Sequence, residues 1–538
     1  MRNKLLKIHP KDNVAVALNH LNAGEEIAFA GQNIKVISDI KAKHKVALQN
    51  FEKSDGIYMY GVLIGKAVQK IKKGTLLTTQ NVIHQSATIH QKTSLQQWTR
   101  PDVKKWKSRT FLGYHREDGQ VGTENVWLFF PLVFCENRNI EMLKKIFEKE
   151  LEPEGVDKHQ LLLRSLVSGK SINNLSVQNT SVKPVFNNIK VKFITHQGGC
   201  GAIRQDAESL AKLLAGYVNN PNVAGATVLS LGCQNLQIDM FEKALDIINP
   251  ALKKPILIYE QQQLGTVDQM LEKVINESFK EIKKANEIER KPAALSALKI
   301  GLECGGSDGF SGISANPVLG QVSDILVALG GTAVLSEFPE LCGVEQELIN
   351  RCTSTANANK FLSLMQDFEA SAIQAGSSFD MNPSPGNIKD GLITDAMKSA
   401  GAAKKGGSSP IVDVLDYGEY LSKPGLNLMC TPGNDVESTT AMAGAGVNLI
   451  LFTTGLGTPT GNPIVPVLKV SSNTSLAESM PDIIDFDTGD IINGQSTIDE
   501  MADKMLELII DIASGKSKPK AMLLGQDDFI PWRRGVSL

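Results

Sequence analysis

Beyond His196 this chain of 538 residues contains no histidine; the eight it has are His9, His20, His44, His84, His90, His115, His159 and His196. Imidazole is the side chain that titrates nearest neutrality. A site in the C-terminal half must therefore work with Cys, Asp, Glu, Lys and backbone groups, or take a histidine from the N-terminal half. An excess of charge is missing too: 56 Lys and Arg against 58 Asp and Glu leave a net charge of -2. That argues against a dedicated nucleic-acid or polybasic membrane binder. No apolar run reaches about 18 residues, so no membrane span is expected. The opening MRNKLLKIHPKDNVAV has no apolar core of signal-peptide length, and Asp12 interrupts it. The seven cysteines follow no CxxC zinc spacing. Without an export signal they make a poor disulfide framework, and reduced thiols in a cytoplasmic protein are the expectation. No glycine turn reads GxGxxG, which leaves a dinucleotide-binding role without its fingerprint.

What is present is the composition of a folded protein, 42% hydrophobic and 21% charged, long enough for about three domains. Residues 1–88 read as a small β-rich module. NVAVAL, IKVI, HKVAL and IYMYGVLIG are β-branched or aromatic runs, and LNAGEEI and IKKGTLL, around Gly24 and Gly74, look like one hairpin device used twice. Residues 89–108 are polar and aperiodic, as in a linker. Residues 109–292 form a second unit. There NVWLFFPLVFC reads as a strand buried on both faces, ENRNIEMLKKIFEKEL as a helix, 171–188 as an exposed loop, and 265–290 as a charged, solvated helix. A third unit, 293–538, begins with the strand LKIGLECGG and the helix NPVLGQVSDILVALG, continues through the strand TAVLSE and the buried run GVNLILFTTG, and ends in a helix near 497–514. Strands alternating with helices predict parallel sheets in both larger units.

Three segments carry the chemistry: QGGCGAIRQD, LGCQN and ECGGSDGFSG. Each is a glycine turn after a strand, where an open parallel sheet binds ligands. The backbone can approach a ligand closely there, and the next helix points N–H groups at an anion. The turns carry Cys200, Cys233 and Cys304; Cys135 ends a further strand. Four thiols so placed, with carboxylates, suit iron as an ion or a cluster; equally, small cysteines pack into tight turns as hydrophobes. Glu303 and Glu337 end strands, where an acid/base or metal-ligand role fits better than a bland one, and Asp308 is a turn acid or a site acid. His9 with Asp12, and His44 with Lys45, are polar clusters at the ends of β runs.

Together these motifs resemble the altronate/galactarate dehydratase family along nearly the whole chain. IHPKDNVAVAL, KHKVAL and YGVLIG resemble its N-terminal SAF domain. GYHREDGQVGTENVW, GGCGAIRQD and LSLGCQN resemble its central domain. GLECGGSDGFSGISANPVLGQVSDILVALGGTAVLSE, NPSPGN and GVNLILFTTG resemble its C-terminal domain, and the tail GQDDFIPWRRGV is closer to the altronate enzymes. The resemblance implies an α/β multidomain protein: a β-rich SAF domain, a Rossmann-like parallel α/β domain and a second α/β domain with Gly-rich loops. It implies a cytoplasmic hydro-lyase, expected as a homodimer, turning a sugar acid into a 2-keto-3-deoxy acid, with D-altronate as the first substrate. Galactarate or another aldonate is the alternative, and a non-catalytic sugar-acid binder the second. Fe2+ is the implied cofactor, with Mn2+ or an Fe–S cluster as alternatives. The sequence departs from the family at four places: Lys43 for a glycine, Glu124 for an arginine, Gln234 for a glutamate and Leu456 for an arginine.

Dehydration across carbons 2 and 3 of an aldonate takes a weakly acidic proton beside a carboxylate. A divalent ion would disperse the charge that results, a base takes the proton and an acid protonates the departing hydroxyl. The expected catalytic groups are His9, His44, Lys45, Glu303 and Asp308. Asp12, Arg204, Gly305, Gly306, Ser307 and Asn316 are expected to bind substrate, and Cys135, Cys200, Cys233 and Cys304 to hold the metal, with the histidines borrowed from the SAF module.

Overall fold

A computed structural model describes residues 4–92, 97–151, 158–169 and 185–538. The N-terminal module is built from short antiparallel strands. Leu5–Leu6, Val14–Ala17 and Lys45–Ala47 form one sheet, Gly56–Met59, Val62–Ala67 and Val82–Ile83 another, and Glu26–Phe29 with Gln32–Lys35 a hairpin. The run IYMYGVLIG is thus two strands, because Tyr60 and Gly61 turn the chain at φ 57° and 80°. The repeated device is real at the backbone level: Gly24 and Gly74 both take positive φ, 81° and 85°. Val14, Ile57, Met59 and Ile64 of this module are buried in the same hydrophobic core as the C-terminal domain. The polar stretch after residue 85 contains neither helix nor strand among its described residues before Thr110. It is pinned where Trp106 is buried and where Lys105 and Arg109 pair with Asp503 and Glu507.

The central unit is a four-stranded parallel sheet in the order Lys190–Phe193, Val126–Pro131, Val223–Ser230, Ile256–Glu260. Val126–Pro131 and Val223–Ser230 are buried at every position, which explains their unbroken apolar sequence. The helix Val267–Ala285 is not merely solvated: Met270, Leu271, Val274 and Ile282 are buried in the core on one face of this sheet. The loop expected at 171–188 lies outside the described residues as far as position 184.

The C-terminal unit is a seven-stranded sheet, parallel throughout. Its order is Ile411–Leu415, Gly425–Met429, Thr332–Leu335, Lys299–Cys304, Leu449–Thr454, Val467–Ser471, Phe486–Asp487. The chain winds outward from Lys299–Cys304 to one side, then returns to its other side with Leu449–Thr454. The carboxyl ends of these two strands are therefore the switch point, where a crevice opens in a doubly wound sheet. Helices Ala315–Ala328 and Ile498–Ala513 cover one face. The other face shares a core with the central unit: Leu213 and Tyr217 of the helix Arg204–Asn219 pack with Met442, Ile450 and Phe452. The helices Arg204–Asn219 and Asp435–Gly444 cross so closely that a Cβ on Gly216 would lie 1.9 Å from the Gly444 carbonyl oxygen.

Candidate active site

The switch point gathers a dense set of buried charges. Glu303 and Cys304 end the strand Lys299–Cys304, and Glu337 and Glu340 follow the neighbouring strand Thr332–Leu335; all four are buried. Glu337 takes a left-handed conformation, φ 65° and ψ 60°, costly for a residue with a Cβ. Its N–H donates to Thr431 Oγ1 at 2.8 Å, which holds the turn in place. The cations come from a helix that the sequence did not advertise and the turn after it. Lys405 Nζ donates to Glu337 Oε2 at 2.6 Å and to Cys304 Sγ at 2.8 Å. Lys398 Nζ donates to Glu340 Oε1 at 2.6 Å and to Asn382 Oδ1 at 2.8 Å. Glu303 Oε2 accepts from Ser438 Oγ at 2.6 Å and from Ser336 Oγ at 3.3 Å.

Burial and the neighbouring Glu337 push the Glu303 carboxyl well above its ordinary value. Burial raises Glu337 too, against the pull of Lys405. For Glu340 burial is outweighed by Lys398 and Lys405, which hold its carboxyl below the usual value. Burial, then Glu337, push the Cys304 thiol well up. Lys405 is held well above the ordinary amine value, since Cys304 and the carboxylates outweigh its burial. Asp435, at the rim, is pushed up to about 7 by burial and by Glu337 and Glu340. Lys469, whose ammonium lies 3.3 Å from the centre of the Phe452 ring, is lowered to about 7 by burial. The Glu303 Oε1 and Glu337 Oε1 atoms are sealed from solvent and no donor group reaches them; the two carboxyls lie close enough to share a proton when one of them carries it. Two sets of ligand atoms lie within 4.8 Å of one another here: Glu303, Glu337 and Asp435, and Cys304, Glu337 and Glu340. Orphaned carboxylate oxygens in that arrangement are what a divalent cation would satisfy. The centre forms part of the wall of a cavity of about 490 Å³ lined by Cys304, Gly305, Gly306, Glu340, Lys398 and Asp435.

Beyond Gly305 and Gly306 the same loop reaches Asp308. This buried carboxylate accepts from the N–H groups of Phe310 and Ser311, from Ser311 Oγ at 2.9 Å, Ser472 Oγ at 2.8 Å and Asn473 Nδ2 at 3.1 Å. It also meets the ammonium of Lys43 at 3.0 Å. That contact joins the SAF module to the loop. Lys43, at φ 76°, occupies a left-handed turn, which gives the family's glycine there a backbone reason. The turn sits so close to the C-terminal unit that a Cβ on Gly309 would lie 2.3 Å, and one on Gly391 2.6 Å, from the Lys43 carbonyl oxygen. Lys45 is buried, donates to the carbonyls of Lys43 at 3.0 Å and Gly391 at 2.7 Å, and is lowered to about 7 by burial. His44 is half-buried, with Nδ1 3.1 Å from the Ala42 carbonyl oxygen, and burial lowers it below its ordinary value.

The other expected residues are spread more widely. Asp12 is buried in a turn, where it accepts from the N–H groups of His9 at 2.9 Å and Gly61 at 2.8 Å. His9 Nδ1 accepts from Lys11 N–H at 3.1 Å. The Ser307 carbonyl accepts from Asn387 Nδ2 at 2.7 Å. Asn316 joins Thr453 to the Gly401 carbonyl behind the site, at 2.7 and 3.0 Å. Arg204 is exposed at the start of a central helix. Of the thiols, Cys304 sits among carboxylates and lysines, while Cys135 is within electrostatic reach of Cys200 and Cys233 at the carboxyl end of the central sheet. All seven cysteines are free. Among the departures from the family pattern, Glu124 is at the domain seam, paired with Lys190 at 2.8 Å and near Arg290. Gln234 accepts from Gly232 N–H and donates to Ser230 Oγ. Leu456 alone of these three lines the cavity. Glu340, Lys398, Lys405, Asp435 and Lys469 escaped the sequence reading; a glutamate three residues after Glu337 was the one signal available.

Comparison with known proteins agrees with this architecture. Family models match residues 3–85, described as the altronate/galactarate dehydratase SAF domain, residues 113–286, described as the D-galactarate dehydratase/altronate hydrolase second domain, and residues 295–537, described as the D-galactarate/altronate dehydratase C-terminal domain. The chain is 36% identical to the altronate dehydratase of Bacillus subtilis strain 168 over 519 residues, 95% of both chains. It is 35% identical to the altronate dehydratase of Escherichia coli K12 over 517 residues, again 95% of both. To the galactarate dehydratase (L-threo-forming) of E. coli K12 it is 30% identical over 520 residues, 95% of this chain and 93% of the relative. The chain belongs to the altronate/galactarate dehydratase family of hydro-lyases.

Proposed function

We propose that the chain dehydrates D-altronate to 2-keto-3-deoxy-D-gluconate. The observation that carries this reading is the clustered set Glu303, Glu337 and Asp435 at the switch point, of which Asp435 lines the cavity and Glu303 and Glu337 lie buried behind it. The higher identity to the two relatives named altronate dehydratase, 36% and 35% against 30% for the one named galactarate dehydratase, favours the aldonate. Glu303, Glu337 and Asp435 would hold Fe2+ or Mn2+, which supplies a positive charge to withdraw electron density from the substrate carboxylate and acidify the neighbouring C–H. His44, neutral near pH 7 because burial lowers it, takes the proton from carbon 2. Lys398, in the cavity wall, and Lys405, buried behind it, are positive charges fixed on Glu340 and Glu337, and would steady the developing negative charge without reorganising. Gly305 and Gly306 let a short polar substrate come against the backbone. The SAF module delivers His44, Lys45 and Lys43 to a half of the protein with no histidine of its own. The chain acts in the cytoplasm as a homodimer.

The test is 2-keto-3-deoxy acid formation by anaerobically purified, iron-supplied protein offered a panel of aldonates and aldarates, galactarate included. D-altronate turned over fastest is the expected result. His44→Ala and Glu303→Gln should each lose turnover with the fold intact, and Glu303→Gln should also lose bound iron. Near-wild-type rates in either variant remove that residue from the mechanism. Fastest turnover of galactarate moves the substrate reading.

A further inference from the structure

Away from the switch point, three residues of different chemistry converge on one spot. His84 follows the last strand of the SAF module, Cys342 follows the turn Phe338–Leu341, and Asp395 is the first residue of the helix Asp395–Ala402. One ligand atom from each lies within 4.8 Å of the other two. Asp395 is buried and the other two are half-buried. His84 Nδ1 is sealed from solvent and lies against Asp395 Oδ1 without a directed hydrogen bond. A fourth candidate, Glu345, stands close enough to feel both Asp395 and His84. One imidazole thus faces a thiol and two carboxyls, and burial with Glu345 and Asp395 pushes the Cys342 thiol up.

We propose that His84, Cys342 and Asp395 hold a zinc ion that ties the SAF module to the catalytic domain. Imidazole nitrogen, thiolate sulfur and carboxylate oxygen are together the donor set that zinc takes at about 2.0–2.3 Å. Ligand atoms on one tetrahedral ion lie roughly 3.3–3.8 Å apart, so the ion would part His84 Nδ1 and Asp395 Oδ1, which touch without it. Oxygen-only cations such as magnesium would leave the thiol unused. Binding releases the Cys342 proton to solvent and changes no oxidation state. The clip's position gives it a purpose. Cys342 is two residues after Glu340, and Asp395 is three residues, about one helical turn, before Lys398, so the ion would fix the two segments of chain whose side chains form the Glu340–Lys398 pair. The same helix is already tied to the module: Thr394 Oγ1 donates to the Ile64 carbonyl at 2.8 Å.

The test uses the full chain purified without chelator, with zinc and cobalt(II) as the probes. The expected result is one zinc per chain by elemental mass spectrometry, kept in Glu303→Gln. His84→Ala should bind zinc at least tenfold more weakly. Cobalt-substituted protein should show a thiolate-to-metal charge-transfer band that Cys342→Ser removes and Cys304→Ser retains. Should Cys342→Ser fail to fold, the wild type decides: zinc should slow alkylation of Cys342, read by peptide mass spectrometry, at least tenfold. Zinc affinity unchanged in His84→Ala, a band that follows Cys304, or alkylation of Cys342 at the same rate with and without zinc overturns the proposal. None of these readouts depends on which sugar acid the enzyme dehydrates.

Discussion

Replacing Lys405 by methionine tests the buried charge network directly. The ammonium is buried and bridges Glu337 and Cys304 at 2.6 and 2.8 Å. Breaking a buried ion pair by removing one partner typically costs about 3–5 kcal/mol, because the other charge is left in a poorly solvating interior. In a unit the size of residues 295–537, each kcal/mol moves the midpoint by about 2–4 °C, so an apparent Tm lower by about 6–20 °C is expected at pH 8.5. The loss should shrink in acid. Burial already raises the Glu337 carboxyl above 4.5 in the presence of Lys405, and without Lys405 it rises further. Its folded form then keeps a proton that the unfolded chain releases above about pH 4.5, so stability falls as pH rises from there through the folded value. Scanning calorimetry of wild type and variant at pH 5.5 and 8.5 gives both numbers. Glu337→Gln in the Lys405→Met background should recover at least half the deficit, the signature of direct coupling. A deficit that is small and equal at the two pH values, or that the double variant does not relieve, refutes the account of Lys405 as the counter-charge.

Three further outcomes are expected. Gly455→Ala would place a Cβ 2.2 Å from Asp308 Cγ; Asp308 is held by several donors and cannot yield, so a loss of about 1–3 kcal/mol is expected in thermal unfolding, with reduced turnover. Lys43→Gly and Lys43→Ala both remove the contact with Asp308, but only glycine relieves the left-handed backbone, so the glycine variant should be about 1 kcal/mol more stable than the alanine one, measured by urea unfolding. If His44 is the base, the acid limb of the rate profile should have its midpoint below 6.5, with turnover rising as pH rises through it, because burial favours the neutral ring; conservative changes at other histidines should leave the limb in place.

The amino-acid pattern disclosed the sheets wherever strands are buried on both faces, as in VWLFFP and LILFTT, since a short unbroken apolar run rich in β-branched and aromatic residues suits the middle of a covered sheet. It disclosed the switch point through the glycines around Glu303 and Asp308. Strands such as Ile411–Leu415 and Val467–Ser471 were not legible, because each is only five residues long and carries a charged residue, Asp413 or Lys469. The cations of the site were hidden for a similar reason. Lys398 and Lys405 belong to MKSAGAAKKGG, which reads as an ordinary solvated segment; only the packing of that helix over the ends of two strands buries them. Cys304 and Cys200 look alike as residues in glycine turns, and what separates them is the sheet to which each turn belongs.

The crossing of the helices at Gly216 and Gly444 has a consequence for how this protein can be divided. A helix pair that meets backbone against backbone, with Leu213, Tyr217, Met442 and Phe452 around it, is the interior of a single folding unit rather than a seam between neighbours. Cutting the chain between the second and third family segments would bare a hydrophobic face on each fragment, and neither half should stay soluble alone; removing the SAF module would likewise bare the face that Val14, Ile57, Met59 and Ile64 cover, although Leu5, Ala17, Leu21 and Ile34 give it an inner core of its own.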